Sequence, residues 1–199
     1  MDHRADVDHP ILDVLAERWS PSGFAPRPVT PADLRSLFEA ARWAPSSFNE
    51  QPWRYLLATR DDEEEFARLL SCLVPANQEW ARNASVLVLT VAKQTFTRNG
   101  KPNRVAQHDI GLASAQLTVE AASRGLFVHQ MAGIEPDRAR ELYGIPDDHE
   151  PVTALAIGHR ADPESLTESL RTRDSAPRTR RPQSEFVFTG TWERPADLG

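Results

Sequence analysis

Residues 85–92 read SVLVLTVA, a continuous apolar run rich in β-branched side chains. Such a run predicts a strand buried on both faces, at the centre of a sheet covered on each side. A chain of 199 residues is long enough to build those covers. It can bury roughly 70% of the surface its unfolded form exposes. We read it as one domain over residues 1–199, with no need of a metal or disulfide.

Around this strand the punctuation is clear. Thr30 is a natural N-cap, Pro31 suits the first helical position, and Leu34, Leu37, Phe38 and Ala41 share one stripe of a helix. A shorter amphipathic helix is expected from Pro10 to Arg18, with Asp8 offering a cap. WRYLLAT (53–59) reads as a strand, and DDEEEFARLLSCL as a helix with its acids where the helix dipole favours them. Residues 104–124 carry apolar side chains around much of the helical circumference and stop at Gly125, which predicts a long, largely buried helix. LFVHQMA, a helix over 136–143 and a strand over 152–158 follow. About four strands and five or six helices, with covered strands, point to a three-layer α/β/α sandwich.

Composition narrows the setting. The lone cysteine, Cys72, lies in the apolar run LLSCLV, which precludes an intramolecular disulfide and suits a reducing compartment. No stretch offers the ~20 apolar residues of a membrane span, and the polar, acidic start MDHRADVDHP is unlike a signal peptide, so a cytoplasmic location is expected. A formal net charge of -6 with arginines dispersed among acids argues against nucleic acid as a partner. The tail is distinct: residues 171–199 hold arginines, prolines and the apolar group Phe186, Val187, Phe188 and Trp192. These bury either on a partner subunit or along the tail's own domain.

The familiar nucleotide, hydrolase and metal motifs are missing, and the scattered histidines read as structural or surface residues. What remains is a shaped loop, PSSFNEQPWR (45–54), bounded by two prolines that keep it out of helix. Alone it reads as a surface turn with an Asn cap and a core Trp53. Two arginine groups also stand out, Arg18 with Trp19 and Ser20, and Arg178, Arg180 and Arg181. A guanidinium fork with a nearby hydroxyl matches phosphate oxygens.

Together these segments resemble the FMN-dependent nitroreductase family: R-W-S at 18–20 with Phe24 beyond, RPVTPADLRSLFEAARWAPSS leading into N-E-Q-P-W, VLVLTVAK, DIGLASAQLTVEAASRGL, HQMAGIE, YGIP, AIGHRAD, and RTRRPQSEFVFTGTWE. The resemblance runs nearly end to end. It implies an α+β sandwich with a mixed, mostly antiparallel sheet, a homodimer with FMN at its interface, and a tail, 171–199, that packs on the partner subunit.

The resemblance also implies a site. Pro45, Ser46, Ser47, Asn49 and Gln51 would touch the flavin or hold its loop, across the dimer interface. Arg18, Ser20, Arg178 and Arg180 would bind the phosphate, with Trp19 between the first two. Asn77 would contact the pyrimidine edge, and the Met131, Ala132 and Gly133 turn would bring backbone N–H groups near the flavin N5. Gly133 could equally only end a strand. Two departures matter: Ser22 and Trp80 stand where relatives often carry a cation, which implies a lowered reduction potential. Phe48 and the segment 94–104 are candidate substrate wall and lid, the latter equally readable as a solvated loop.

The implied reaction carries hydride from NADH or NADPH through FMN to a nitroaromatic, quinone or similar small acceptor in a ping-pong sequence. The cofactor does the chemistry, so no catalytic residue is assigned. The alternatives are a specialised flavoenzyme of the same family (dehalogenase, flavin-fragmenting or dehydrogenase) and a non-catalytic FMN-binding or sensing protein.

Overall fold

A computed structural model of the protein describes residues 3–198. In chain order the elements are α1 (Asp13–Glu17), α2 (Pro31–Arg42), β1 (Trp53–Thr59), α3 (Glu63–Leu70), α4 (Pro75–Ala81), β2 (Val86–Lys93), α5 (Ala106–Ser123), β3 (Phe127–Met131), α6 (Pro136–Tyr143), β4 (His149–Gly158) and α7 (Glu168–Asp174). The strands form one sheet in the order β1-β2-β4-β3. Every pairing is antiparallel, so among the described residues the mostly antiparallel sheet has no parallel pair.

Strand β2 sits at the centre, as its composition requires. Val86, Val88 and Ala92 face one apolar layer, with Leu37 and Ala41 of α2 and Ile110, Ala113 and Leu117 of α5. Leu87, Leu89 and Val91 face the other, with Phe66 and Leu69 of α3, Trp80 of α4 and Ala139 of α6. The period-two alternation of a strand thus feeds two cores from one segment, and the architecture is α/β/α. A register shift between Thr90 and Val91 leaves the Thr90 hydroxyl inside the sheet. It accepts the Thr153 N–H at 3.0 Å, so the buried polar atom is satisfied.

The local signals explain most boundaries. Thr30 Oγ1 accepts the Asp33 N–H at 3.1 Å, and Pro31 opens α2. Asp62 caps α3 through the Glu65 N–H. Gly144 ends α6 in the left-handed conformation, φ 61°. Helix α1 is shorter than Pro10–Arg18: its cap position is Leu12 rather than Asp8, and only Ala16 is buried. An apolar stripe that finds nothing to pack against does not sustain a helix. Helices α4 and α7 are additions to the expected pattern, both too short to show a clear period.

The tail divides into two parts. Residues 168–180 lie on their own domain, through α7 and the Arg178 side chain. Beyond them Phe186 and Trp192 are exposed, and Phe188 packs beside Trp192 with ring centroids 5.4 Å apart.

Candidate active site

The segment Arg18–Ser22 leaves α1 in extended form and runs beside the start of the tail. Arg178 fixes that arrangement. Its guanidinium donates to the Ala16 carbonyl at 2.9 Å, to the Arg18 carbonyl at 2.8 Å and to the His3 carbonyl. Asp174, at the end of α7, supplies a second clasp: its two carboxylate oxygens accept the Ser22 and Gly23 N–H groups at 2.8 and 3.0 Å. Residues about 150 positions apart are thereby held as one wall.

Between them lies a cavity of about 230 Å³, lined by Arg18, Trp19, Ser20, Ser22, Arg178 and Arg180, together with His3, Arg173, Asp174 and Ala176. Four guanidinium groups thus meet one carboxylate. No carboxylate pairs with Arg18, Arg173, Arg178 or Arg180 among the described residues. Burial, and after it the charges of Arg178 and Arg180, push the Arg18 pKa below its usual value. Crowded like charges of this kind favour an anion. The Ser22 hydroxyl, in a residue 1% exposed, has no hydrogen-bond partner. Such an orphan is uncommon in a folded protein and adds polar capacity to the cavity.

Trp19 is a wall of this site more than a ligand for an anion. His3 stacks on its ring with centroids 3.8 Å apart, and Phe127 meets it edge-on at 6.0 Å.

The loop at 45–51 forms a separate feature. Phe48, Asn49 and Gln51 all adopt positive φ, at 53°, 55° and 51°. Asn tolerates that region, whereas Phe and Gln are held there at a cost of order 1 kcal/mol each. The restraint is visible. The buried Asp109 of α5 accepts the Ser47 N–H at 2.9 Å, and Ser46 Oγ accepts the Gln51 N–H at 3.0 Å. The Gln51 side chain turns back to the Asn49 carbonyl at 3.1 Å. Pro45 stays exposed at the loop's entry.

Phe48 is exposed, with its ring edge-on to Phe96 at 5.8 Å and the Arg98 guanidinium 4.0 Å above it. Segment 94–104 is closed on itself, with Phe96 bonded to Lys101 and Asn103 to Gln94. It is pinned to the loop where the Glu50 carboxylate accepts the Thr97 N–H at 2.8 Å. The expected wall and lid therefore form one assembly.

Asn77 and the turn after β3 meet directly. The Asn77 side-chain amide donates to the Gly133 carbonyl at 3.0 Å, and Val74 N–H reaches the same oxygen at 3.1 Å. A Cβ on Gly133 would fall 2.5 Å from the Asn77 amide, so the glycine serves close packing. Met131 is buried and Ala132 is exposed. Three residues along α4, Trp80 is 2% exposed with its indole N–H unpartnered.

Of the residues singled out in the sequence, the structure brings Arg18, Trp19, Ser20, Ser22, Arg178 and Arg180 to one cavity, keeps Pro45, Ser46, Ser47, Phe48, Asn49 and Gln51 in one loop, and joins Asn77 to Gly133 of the Met131–Gly133 turn. No residue of 45–51 lines the arginine cavity. Sequence reasoning missed Asp109, Arg173 and Asp174. Asp174 left a trace, as an acid inside the basic run RTRDSAPRTRR; Asp109 left none, because its partner lies 62 positions away.

Comparison with known proteins identifies the fold and the family. The family model described as "Nitroreductase family" matches residues 15–159. An uncharacterized 15.4 kDa protein of Mycolicibacterium smegmatis is 37% identical over 138 residues, covering 68% of this chain and 90% of its own. A putative NADH dehydrogenase/NAD(P)H nitroreductase of Streptomyces coelicolor is 26% identical over 162 residues, covering 72% and 79%. A crystal structure described as an oxidoreductase containing FMN superimposes with a TM-score of 0.88 at 32% identity, covering 94% of this chain and 96% of that one. The family match over residues 15–159, together with a relative and a solved structure each above 30% identity, shows that this chain belongs to the nitroreductase family.

Proposed function

We propose that the protein is an FMN-dependent oxidoreductase that carries reducing equivalents from NADH or NADPH to a flat, electron-poor acceptor such as a nitroaromatic or quinone, in ping-pong order. FMN, when bound, supplies the electron-transfer chemistry. The observation that carries this reading is the cavity in which four arginines meet one carboxylate and the Ser22 hydroxyl has no partner. A phosphate monoester, with roughly 1.5 to 2 negative charges, suits it.

On this reading Arg18, Ser20 and Arg180 hold the phosphate. Arg178 acts as a positioning residue, because its donors already engage the Ala16 and Arg18 carbonyls. The Asn77–Gly133 hydrogen bond braces the turn assigned on this reading to the ring of the flavin. A cavity of about 230 Å³ falls below the ~300–1,000 Å³ usual for a complete small-molecule pocket. The remainder of the ligand then lies against another surface. The 45–51 loop of a second copy, displayed with Phe48 exposed and absent from the cavity of its own chain, suits that role and supports a homodimer. Phe48, Phe96 and Arg98 would line the path of the acceptor.

The test is purification followed by absorbance spectroscopy, titration with FMN, sedimentation analysis, and anaerobic mixing with NADH or NADPH. A yellow dimer that bleaches with a nicotinamide donor and regains colour with a nitroaromatic or quinone is expected. A protein that binds no FMN overturns the reading, and one that stays yellow with both donors is a binder and not a reductase.

A further inference from the structure

The four arginines of the cavity come from different segments and have different neighbours. Arg178 donates to the Arg18 carbonyl, and its charge and that of Arg180 add to burial in lowering the Arg18 pKa. Arg173 reaches the same lining from α7. Its guanidinium lies 5.4 Å from the centre of the Trp80 ring, and its charge lowers the pKa of His129, whose ring is 4.4 Å from that of Trp80. Two buried polar atoms of the region lack partners: the Ser22 hydroxyl of the cavity wall and the indole N–H of Trp80, the ring over which Arg173 lies.

We propose that Arg173 is the cation this chain offers to the ring end of a bound flavin, supplied from the tail helix α7 in place of a basic side chain at position 22 or 80. The inference rests on the FMN reading above. Stacking on Trp80 holds the guanidinium without neutralising it, since an indole face carries no net charge. Asp174, next in sequence, has its carboxylate engaged by the Ser22 and Gly23 N–H groups and does not pair with Arg173. A phosphate monoester offsets about two of the four positive charges, and Asp174 one more. One remains, at the end where a reduced flavin ring gains negative charge. Ser22 and Trp80 therefore do not leave that edge without a cation, and the lowered potential expected from those two positions alone is offset.

The experiment compares wild type, Arg173→Gln, Arg173→Lys and Arg180→Gln, each titrated with FMN and with riboflavin, which lacks the phosphate. A dye-coupled equilibrium titration then gives the midpoint potential of bound FMN, and circular dichroism verifies folding. Arg180→Gln is expected to lose FMN affinity with riboflavin affinity retained. Arg173→Gln is expected to weaken both ligands by a similar factor. It should also hold the reduced form about tenfold less tightly relative to the oxidised form, a potential lower by about 30 mV. Arg173→Lys keeps the charge and is expected to restore the wild-type potential.

Loss of FMN binding alone in Arg173→Gln would make Arg173 a phosphate ligand and overturn the proposal. An unchanged or higher potential in that variant would overturn it equally. Wild type that binds neither flavin would sink the FMN reading itself, and the Arg173 assignment with it.

Discussion

Ser47 donates its backbone N–H to the buried Asp109 carboxylate at 2.9 Å, joining the strained loop to the long helix α5 across 62 positions of the chain. That helix packs against both the central sheet and α2, so the loop inherits the rigidity of the core. The same carboxylate meets His108 Nδ1 at 3.0 Å. Asp109→Ala removes the acceptor and leaves the Ser47 donor unpaired. A loss of about 2 kcal/mol is expected in urea unfolding, together with weaker FMN binding.

Arg178→Lys tests the fork that ties the tail to the Arg18 segment. An ammonium cannot span the Ala16 and Arg18 carbonyls with the planar geometry of a guanidinium. Stability should fall by about 1–2 kcal/mol and FMN affinity with it, although the charge is kept. Thermal unfolding and a flavin titration check both effects.

Gly133→Ala places a methyl group 2.5 Å from the Asn77 amide and 2.8 Å from Val74 Cγ2. The φ of Gly133 is not in the left-handed region, so crowding alone acts. Overpacking of about 1–3 kcal/mol is expected, with loss of the Asn77–Gly133 hydrogen bond. Asn77→Ala in the same background should cost little more, which a double-mutant cycle would read directly.

Phe48 separates strain from contact. Phe48→Ala and Phe48→Gly both remove the exposed ring, but only glycine relaxes the φ of 53°. The glycine variant should be the more stable of the two by up to ~1 kcal/mol, after allowance for its own backbone entropy. If the ring lines the acceptor path, both variants raise KM for an aromatic acceptor more than they lower kcat.

The pH dependence of stability should carry a mark of His129. Burial depresses its pKa below the ordinary 6.5, outweighing the favourable hydrogen bond to the Pro21 carbonyl; Arg173 lowers it further and Asp174 raises it. Below pH 6.5 the unfolded chain therefore takes the proton more readily than the folded one. Stability falls as the pH drops past that value and stops falling once it is below the folded pKa. Melting temperatures measured from about pH 7.5 to 5.5 should decline more steeply for wild type than for His129→Gln.

How far the sequence spoke depended on the reach of each interaction. Strand β2 and helix α2 were legible because their signals are local: an unbroken apolar run, and a Thr cap followed by Pro. Helix α1 is shorter than its sequence pattern suggests, because the stripe of Ile11, Leu12 and Leu15 remains exposed in the folded chain. The gathering of Arg18, Arg178 and Arg180 was legible only through the joint order of many weak motifs. Asp109 and Asp174 were not, since each acts by binding backbone N–H groups far along the chain, and nothing in a carboxylate's own neighbourhood names its distant partner.

The fork of Arg178 also sets a timetable. Every strand of the sheet is complete by Gly158, and both apolar layers draw almost wholly on residues before that point. During synthesis the core can condense while the residues that follow Gly158 are still inside the ribosome. The guanidinium that ties the tail to the Arg18 segment arrives only afterwards, so the arginine cavity closes at the end of maturation, and a nascent chain halted before residue 178 would hold a formed core without that wall.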